Sequence, residues 1–207
     1  METIIAVSFA DSNHPYDAVT KLQELDQQGQ VELYEARVVE RRTTGELDVK
    51  ESVRGRGDDV GMATASGGLI GLLIGVIAGP VGMLLGGSMG LTTGAVIDLE
   101  TDERDDSVLS SFVRHIQPGE TTVLAHVNEQ VDEVVDNAMA GLGGSVFRQG
   151  AAEVEAELAA AEEARRKAED EARRELRQER QAQKKEEIDH KLNELKAKFR
   201  RPEKAEA

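Results

Sequence analysis

The chain of 207 residues contains no cysteine and no tryptophan, and its aromatic residues are two tyrosines and four phenylalanines. Without cysteine, a disulfide scaffold, a thiol nucleophile and a cysteine-held zinc or iron–sulfur site are excluded. Basic residues are also scarce, since 25 Lys and Arg stand against 40 Asp and Glu, a net charge of −15. An acidic chain with few stacking side chains is a poor match for nucleic acid, so we expect no nucleic-acid partner.

Charged residues are missing altogether from one internal stretch. Residues 60–97 contain no Asp, Glu, Lys or Arg, whereas residues 1–59 and 98–149 have the mixed composition of a folded domain. Residues 150–207 consist mainly of Ala, Glu, Lys, Arg and Gln. The sequence therefore divides into a discontinuous globular domain, an apolar insertion and a charged helical tail.

The two globular parts are predicted to be α+β. Short apolar or alternating runs predict strands at 3–9, 31–39, 47–49, 121–127 and 145–147. Helical spacing predicts helices at 13–29, 108–116 and 131–139. The first six elements follow a βαββαβ order, which is that of a ferredoxin-like sheet. Because both parts then share one sheet, the two ends of the insertion must lie on the same side of any membrane.

The insertion carries two ladders of glycine at four-residue spacing. The first ladder is Gly67, Gly71, Gly75 and Gly79, and the second is Gly82, Gly86, Gly90 and Gly94. Residues four apart share a helix face, and glycine there lets another backbone approach closely, as in membrane helix pairs. With Pro80 in the turn, the sequence predicts a glycine-zipper hairpin. Its large side chains are expected to face lipid or a second apolar surface: Leu69, Leu73, Val76 and Ile77.

Two environments for this hairpin stay open. Residues 60–78 would extend about 28 Å as a helix and residues 82–97 about 24 Å, against a hydrocarbon core of about 30 Å. The arms are thus marginal as membrane spans, and the alternative is a soluble oligomer or shell-like particle with the hairpins packed inside. No secretory signal is evident. We therefore expect the inner membrane, with both termini in the cytoplasm, and lipid and further copies of the chain as partners.

Several phrases resemble a known family. They are the opening IIAVSFADSNHPYDAV, the glycine-rich hairpin, IQPG before an apolar strand, and GGSV before the tail. Over about residues 1–158, the chain resembles the bacterial membrane proteins grouped as domain of unknown function twelve sixty-nine. The resemblance implies the fold, a relation to the membrane and a loose association with stress. It implies no activity and no site residues.

The charged tail is predicted to be one long helix from Ala151 to about Phe199, because it holds no Gly or Pro and many strong helix formers. Its apolar stripe is thin until the last residues at 4-3-4 spacing: Ile188, Leu192, Leu195 and Phe199. These positions predict self-association as a short coiled coil. A solvated single helix with weak ion pairs is the alternative.

No catalytic constellation is recognisable. The four histidines are far apart in the sequence, and an acidic cluster at 98–106 lacks the glycine and terminal glutamate of a calcium loop. We therefore expect a non-enzymatic protein with no cofactor, no metal and no small-molecule substrate. A regulatory ligand-binding module is a weaker hypothesis, because it depends on analogy of fold alone.

Overall fold

The computed structural model describes residues 1–9, 14–43, 47–55, 68–79 and 107–199. The described strands are β1 (Glu2–Phe9), β2 (Val31–Arg41), β3 (Leu47–Arg54), β4 (Thr121–Glu129) and β5 (Gly144–Gly150). The described helices are α1 (His14–Gln27), α2 (Gly68–Ala78), α3 (Val108–His115), α4 (Asp132–Ala140) and α5 (Ala151–Phe199). The α+β class and the long C-terminal helix are confirmed.

The five strands form one antiparallel sheet in the order β3-β2-β4-β1-β5. Strands from both sides of the apolar insertion therefore share a sheet, as predicted. β4 lies between β1 and β2, and β1 lies between β4 and β5. β3 occupies the edge beside β2.

The first face of the sheet is covered by α1 and α4. Ala18, Leu22 and Leu25 of α1 are buried there, at the helical spacing seen in the sequence. The outer side of α1 is polar, with Lys21 Nζ 2.8 Å from Glu24 Oε2. This face is thus closed by an ordinary amphipathic helix.

The second face is covered by α2, α3 and the first turns of α5. Phe112 of α3 is fully buried, and its ring meets the ring of Phe147 edge-on at 5.2 Å between centroids. Val154 and Leu158 of α5 are buried in the same cluster. The start of the C-terminal helix therefore belongs to the hydrophobic core.

Residues 1–162 form one compact unit and residues 163–207 a second. In the second unit, every side chain that the structure describes is exposed. Ion pairs one helical turn apart link Glu163 to Lys167 at 2.7 Å and Glu187 to Lys191 at 2.6 Å. Solvent screens such exposed pairs, so helix propensity has the larger part in stabilising this unit.

Candidate functional site: an apolar helix held by charged side chains

Helix α2 turns one apolar stripe toward the sheet. Its buried residues follow the i, i+3, i+4, i+7 spacing of one helix face: Ile70, Leu73, Ile74 and Ile77. They share a cluster with the sheet residues Ile4, Ala6, Val39 and Leu124. Burial of each aliphatic side chain contributes about 1.5–3 kcal/mol. The second apolar surface that Leu73 and Ile77 face is therefore the sheet of their own domain.

The N-terminus of α2 is held by a carboxylate from β2. Glu35 Oε1 accepts a hydrogen bond from the Ile70 backbone N–H at 2.7 Å, and Arg37 Nη2 lies 3.4 Å from Glu35 Oε2. Gly68 has a φ of +76°, and a β-carbon at this position would overlap Glu35 Oε1. Burial raises the pKa of Glu35, and the Ile70 hydrogen bond and the Arg37 charge oppose the shift only in part. Helix and carboxylate thus fit each other closely.

A bulge in β2 turns Glu35 toward α2. Val31 and Leu33 face the first core, and the next residues to do so are Ala36 and Val38, three residues after Leu33 rather than two. The pairing of β2 with β4 shifts register between Leu33 and Glu35. The extra residue of a bulge redirects the side chains that follow it. This interruption of the alternation was visible in the sequence, but sequence analysis did not use it.

Helix α3 is capped at its N-terminus by a distant glutamate and a local serine. Glu157 of α5 accepts hydrogen bonds from the backbone N–H groups of Val108 at 2.8 Å and Leu109 at 3.0 Å. Ser107 Oγ accepts another from the Ser110 N–H at 3.0 Å. These acceptors satisfy N–H groups that a helix leaves without internal partners, and the carboxylate also complements the helix dipole.

The C-terminus of α3 is held by a guanidinium group from β2. Arg41 Nη1 donates to the carbonyl oxygens of Val113 at 3.2 Å and Ile116 at 3.0 Å. Arg41 is only 5% exposed. A cation here complements the negative end of the helix dipole. β2 therefore supplies an anion to the start of α2 and a cation to the end of α3.

The side of α2 that faces away from the sheet has no polar group. No residue of α2 has a charged or hydrogen-bonding side chain. Gly75 is exposed, and among the described residues a β-carbon there would meet no atom within 4 Å outside the backbone of its own helix, while Gly71 and Gly79 are half-buried. Leu72 and Val76 on the flanks are also half-buried. The outward side is thus uncharged and open to the close approach of another backbone.

The predicted hairpin residues are only partly within the described chain. Gly71, Gly75 and Gly79 are described, and the others lie outside the described residues: Gly67, Pro80, Gly82, Gly86, Gly90 and Gly94. Among the described residues, no helix is both long enough and apolar enough to cross a membrane.

The predicted tail residues lie in the second unit. Ile188 and Leu192 are 58% and 45% exposed on α5. Leu195 and Phe199 lie within the helix, but their side chains are outside what the structure describes. The coiled coil and the solvated helix both stay predictions.

A partly buried cluster of ion pairs lies on the first face. Arg148 Nε is 2.7 Å from Glu129 Oε1, and Arg148 Nη1 is 2.6 Å from Asp136 Oδ1. Thr3 Oγ1 donates to Glu129 Oε1 at 3.1 Å. Since these groups are occupied with each other, the cluster anchors β5 and α4. Among the residues described, no group of three or more His, Asp or Glu could hold a metal ion.

The structural caps were missed by sequence analysis. Glu35, Arg41 and Glu157 act on partners 35 to 75 positions away in the chain. In the sequence, a charged residue that caps a distant helix cannot be distinguished from one that faces solvent. Only the bulge spacing around Glu35 gave a local signal.

Comparison with known proteins supports an uncharacterised domain family over part of the chain. Residues 64–163 match a family model described as Protein of unknown function (DUF1269). The match runs from just before α2 to just after the buried first turns of α5, and so includes α3 and its Glu157 cap. No curated protein and no solved structure matches the chain.

Proposed function

We propose that this chain is a non-enzymatic, membrane-associated protein of the cytoplasmic face that assembles with further copies through the outward side of α2. The observation that carries the proposal is the absence of any polar side chain on that side. A helix docked on one core and facing water on the other normally has a polar outer face, as α1 does. A helix that is apolar all round is typical of one with a second apolar neighbour.

The glycines support a helix as that neighbour. Among the described residues, a β-carbon added at Gly75 would find open space, so another backbone can approach this glycine more closely than any larger residue would permit. The 11 residues of α2 extend about 16 Å, roughly half of a hydrocarbon core. With its outer side, the docked α2 contacts lipid or a second helix.

We further propose that the sheet is ferredoxin-like, but that the strands and helices of its two β-α-β units differ from those that the sequence predicted. β1-α1-β2 encloses β4 between its strands, and β4-α4-β5 encloses β1. Two interleaved split β-α-β units are the ferredoxin-like arrangement. β3, α2 and α3 are then additions between β2 and β4. The helix of the second β-α-β unit is α4, whereas the sequence prediction gave that place to α3.

The alternative function is a soluble oligomeric scaffold with the apolar insertions packed inside. One observation favours it: Ile70, Leu73, Ile74 and Ile77 are already buried against the sheet. The remaining apolar surface of α2 is one narrow face, which a helix of another copy could cover without lipid.

The test places a charge on the outward side of α2. Because the described residues outside the backbone of α2 leave open space within 4 Å of a β-carbon at Gly75, Gly75→Glu should leave the docked helix in place. Ala159→Glu, at an exposed position of α5, adds the same charge elsewhere and serves as the control. Each full-length variant is floated with anionic liposomes, and its particle size is measured by light scattering.

We expect the wild type and Ala159→Glu to float, and Gly75→Glu to stay at the bottom as a smaller species. If nothing floats but Gly75→Glu alone breaks up a large particle, the soluble scaffold is correct. If Gly75→Glu changes neither flotation nor size, both functions are wrong for this surface.

A further inference from the structure

The two edges of the sheet differ in how they are protected. An exposed edge strand presents unpaired N–H and C=O groups and is a template for another strand, so proteins commonly blunt edges with charged side chains and bulges. The β3 edge has both devices. Lys50 contacts Glu40 at 2.7 Å and Asp48 at 3.4 Å, and Arg42 contacts Asp48 at 2.6 Å. The pairing of β3 with β2 is also broken by a register shift between Val38 and Val39.

Among the described residues, no strand pairs with the outer side of β5, and this edge has neither device. Its pairing with β1 runs without a register shift from Gly144 to Gly150, and the strand contains no proline or lysine. Its one charged residue, Arg148, points inward to Glu129 and Asp136. Arg148 therefore forms ion pairs inside the domain and does not place its charge at the outer edge of β5.

We propose that β5 is a self-association surface, and that β5 strands of two copies pair antiparallel about a twofold axis to join two sheets. Antiparallel pairing of identical strands is self-complementary, as a twofold dimer requires. Full overlap of the seven residues places the axis at Phe147. Ser145 then faces Gln149 of the second copy, and Val146 faces Arg148 of the second copy.

This register brings no like charges into opposition. Phe147 lies opposite its own equivalent, with its ring already packed against Phe112 and His115 of its own domain. Ser145 and Gln149 can hydrogen-bond across the two strands, and such opposed pairs stabilise antiparallel strands. Gly144 and Gly150 meet at the ends, where they add no steric obstacle. The surface lies at the strand edge and is distinct from the outward side of α2.

The absence of cysteine allows a direct test in the full chain. Opposed residues have β-carbons about 4.5–5.5 Å apart, close to the reach of a disulfide. We would mix a tagged Ser145→Cys variant with an untagged Gln149→Cys variant and oxidise mildly. The matched control is Ser52→Cys, an exposed serine on the β3 edge.

The expected main product is the mixed disulfide dimer of Ser145→Cys with Gln149→Cys, with little dimer from either variant alone and none with Ser52→Cys. Contact through α2 would not select one pair of β5 positions. Crosslinking no greater than that of Ser52→Cys, or equal in the single variants and the mixture, overturns the proposal.

Hydrogen exchange of the unmodified chain gives an independent readout. Backbone amides of 144–150 that point outward should exchange more slowly at high than at low protein concentration, while those of 47–54 stay unchanged. Exchange in β5 that does not depend on protein concentration contradicts the pairing. This readout holds even if the cysteine variants fail to fold.

Discussion

The two faces of the sheet are covered by helices of different character. On the first face, α1 buries Leu22 and keeps Asp17 and Glu24 in solvent. On the second face, α2 buries Leu73 but has no polar residue on its other side. The inward stripes of the two helices are alike, and only the outward sides differ. The comparison teaches that the inward stripe is enough to dock a helix onto the sheet, whether its outward side is polar, as in α1, or apolar, as in α2.

The faces also differ in how their helices are capped. On the first face, α4 has Val131 at its N-cap, which makes no side-chain cap hydrogen bond. On the second face, Glu35, Arg41 and Glu157 hold helix ends from other elements. Charged side chains thus satisfy helix ends on the second face, whereas on the first face the Arg148 cluster anchors α4 chiefly through the Asp136 side chain.

The largest expected effect tests whether buried side chains on both faces of the sheet contribute to the unfolding free energy. Leu22→Ala and Leu73→Ala each remove a fully buried side chain and should each cost about 2–5 kcal/mol of unfolding free energy. Urea unfolding followed by circular dichroism measures both. The control Leu72→Ala, at a half-buried position, should cost less. A negligible cost for Leu73→Ala would mean that α2 is not part of the folded core.

The next effect concerns the anchor of α2. Glu35→Ala leaves the Ile70 N–H without its acceptor, and a buried unsatisfied donor costs about 1–3 kcal/mol. Glu35→Gln keeps an acceptor oxygen and should cost less. Urea midpoints and hydrogen exchange at Ile70 report on both variants. Equal losses for the two would show that the hydrogen bond is not what holds the helix.

Stability should depend on pH through the same carboxyl group. Since burial raises the pKa of Glu35, the folded protein binds its proton more tightly than the unfolded chain does. The contribution is then complete below the ordinary value of 4.5 and is lost as the pH rises through the raised pKa. The unfolding free energy of wild type relative to Glu35→Gln should fall across this window. A rise over the same window in urea titrations would refute the assignment.

The smallest effect separates two glycines of one helix. Gly75→Ala should stabilise the monomer by up to about 1 kcal/mol, because alanine favours helix and nothing obstructs its β-carbon. Gly68→Ala should destabilise it, because its φ is positive and Glu35 occupies the space. Thermal unfolding at low concentration measures both. In the proposed assembly, Gly75→Ala should also weaken self-association, so a tighter assembly would argue against close helix contact.

Local patterns predicted most elements well. The start of α5 at Ala151 and the helix from Val108 were readable from propensity and spacing, since both are local properties. Strand neighbours were not readable. β1 pairs with β4 and β5. The prediction counted β3 among the six elements of the ferredoxin-like sheet, whereas the structure has β3 at the edge beside β2. Pairing depends on contacts across the whole chain, which periodicity does not record.

The sequence predicted one part of the candidate site, the glycine side of α2, but not its contacts with the sheet. Glycine spacing marked one side of α2, and the structure describes Gly75 as exposed on it. The same spacing gave no indication that Leu73 and Ile77 face a sheet rather than lipid, because an apolar stripe looks identical in both cases. The anchoring role of Glu35 needed the fold, since its partner lies 35 residues away.

The position of β1 in the sheet has a consequence for synthesis of the chain. Glu2 pairs with Asn128, and Thr3 pairs with Gly150. During synthesis, β1 therefore has no neighbouring strand until β4, which begins at Thr121, has been made. Helix α2 emerges in the same interval, before β4 can complete the surface that covers it. During translation, the apolar side chains of α2 are thus exposed until the sheet that buries them is complete.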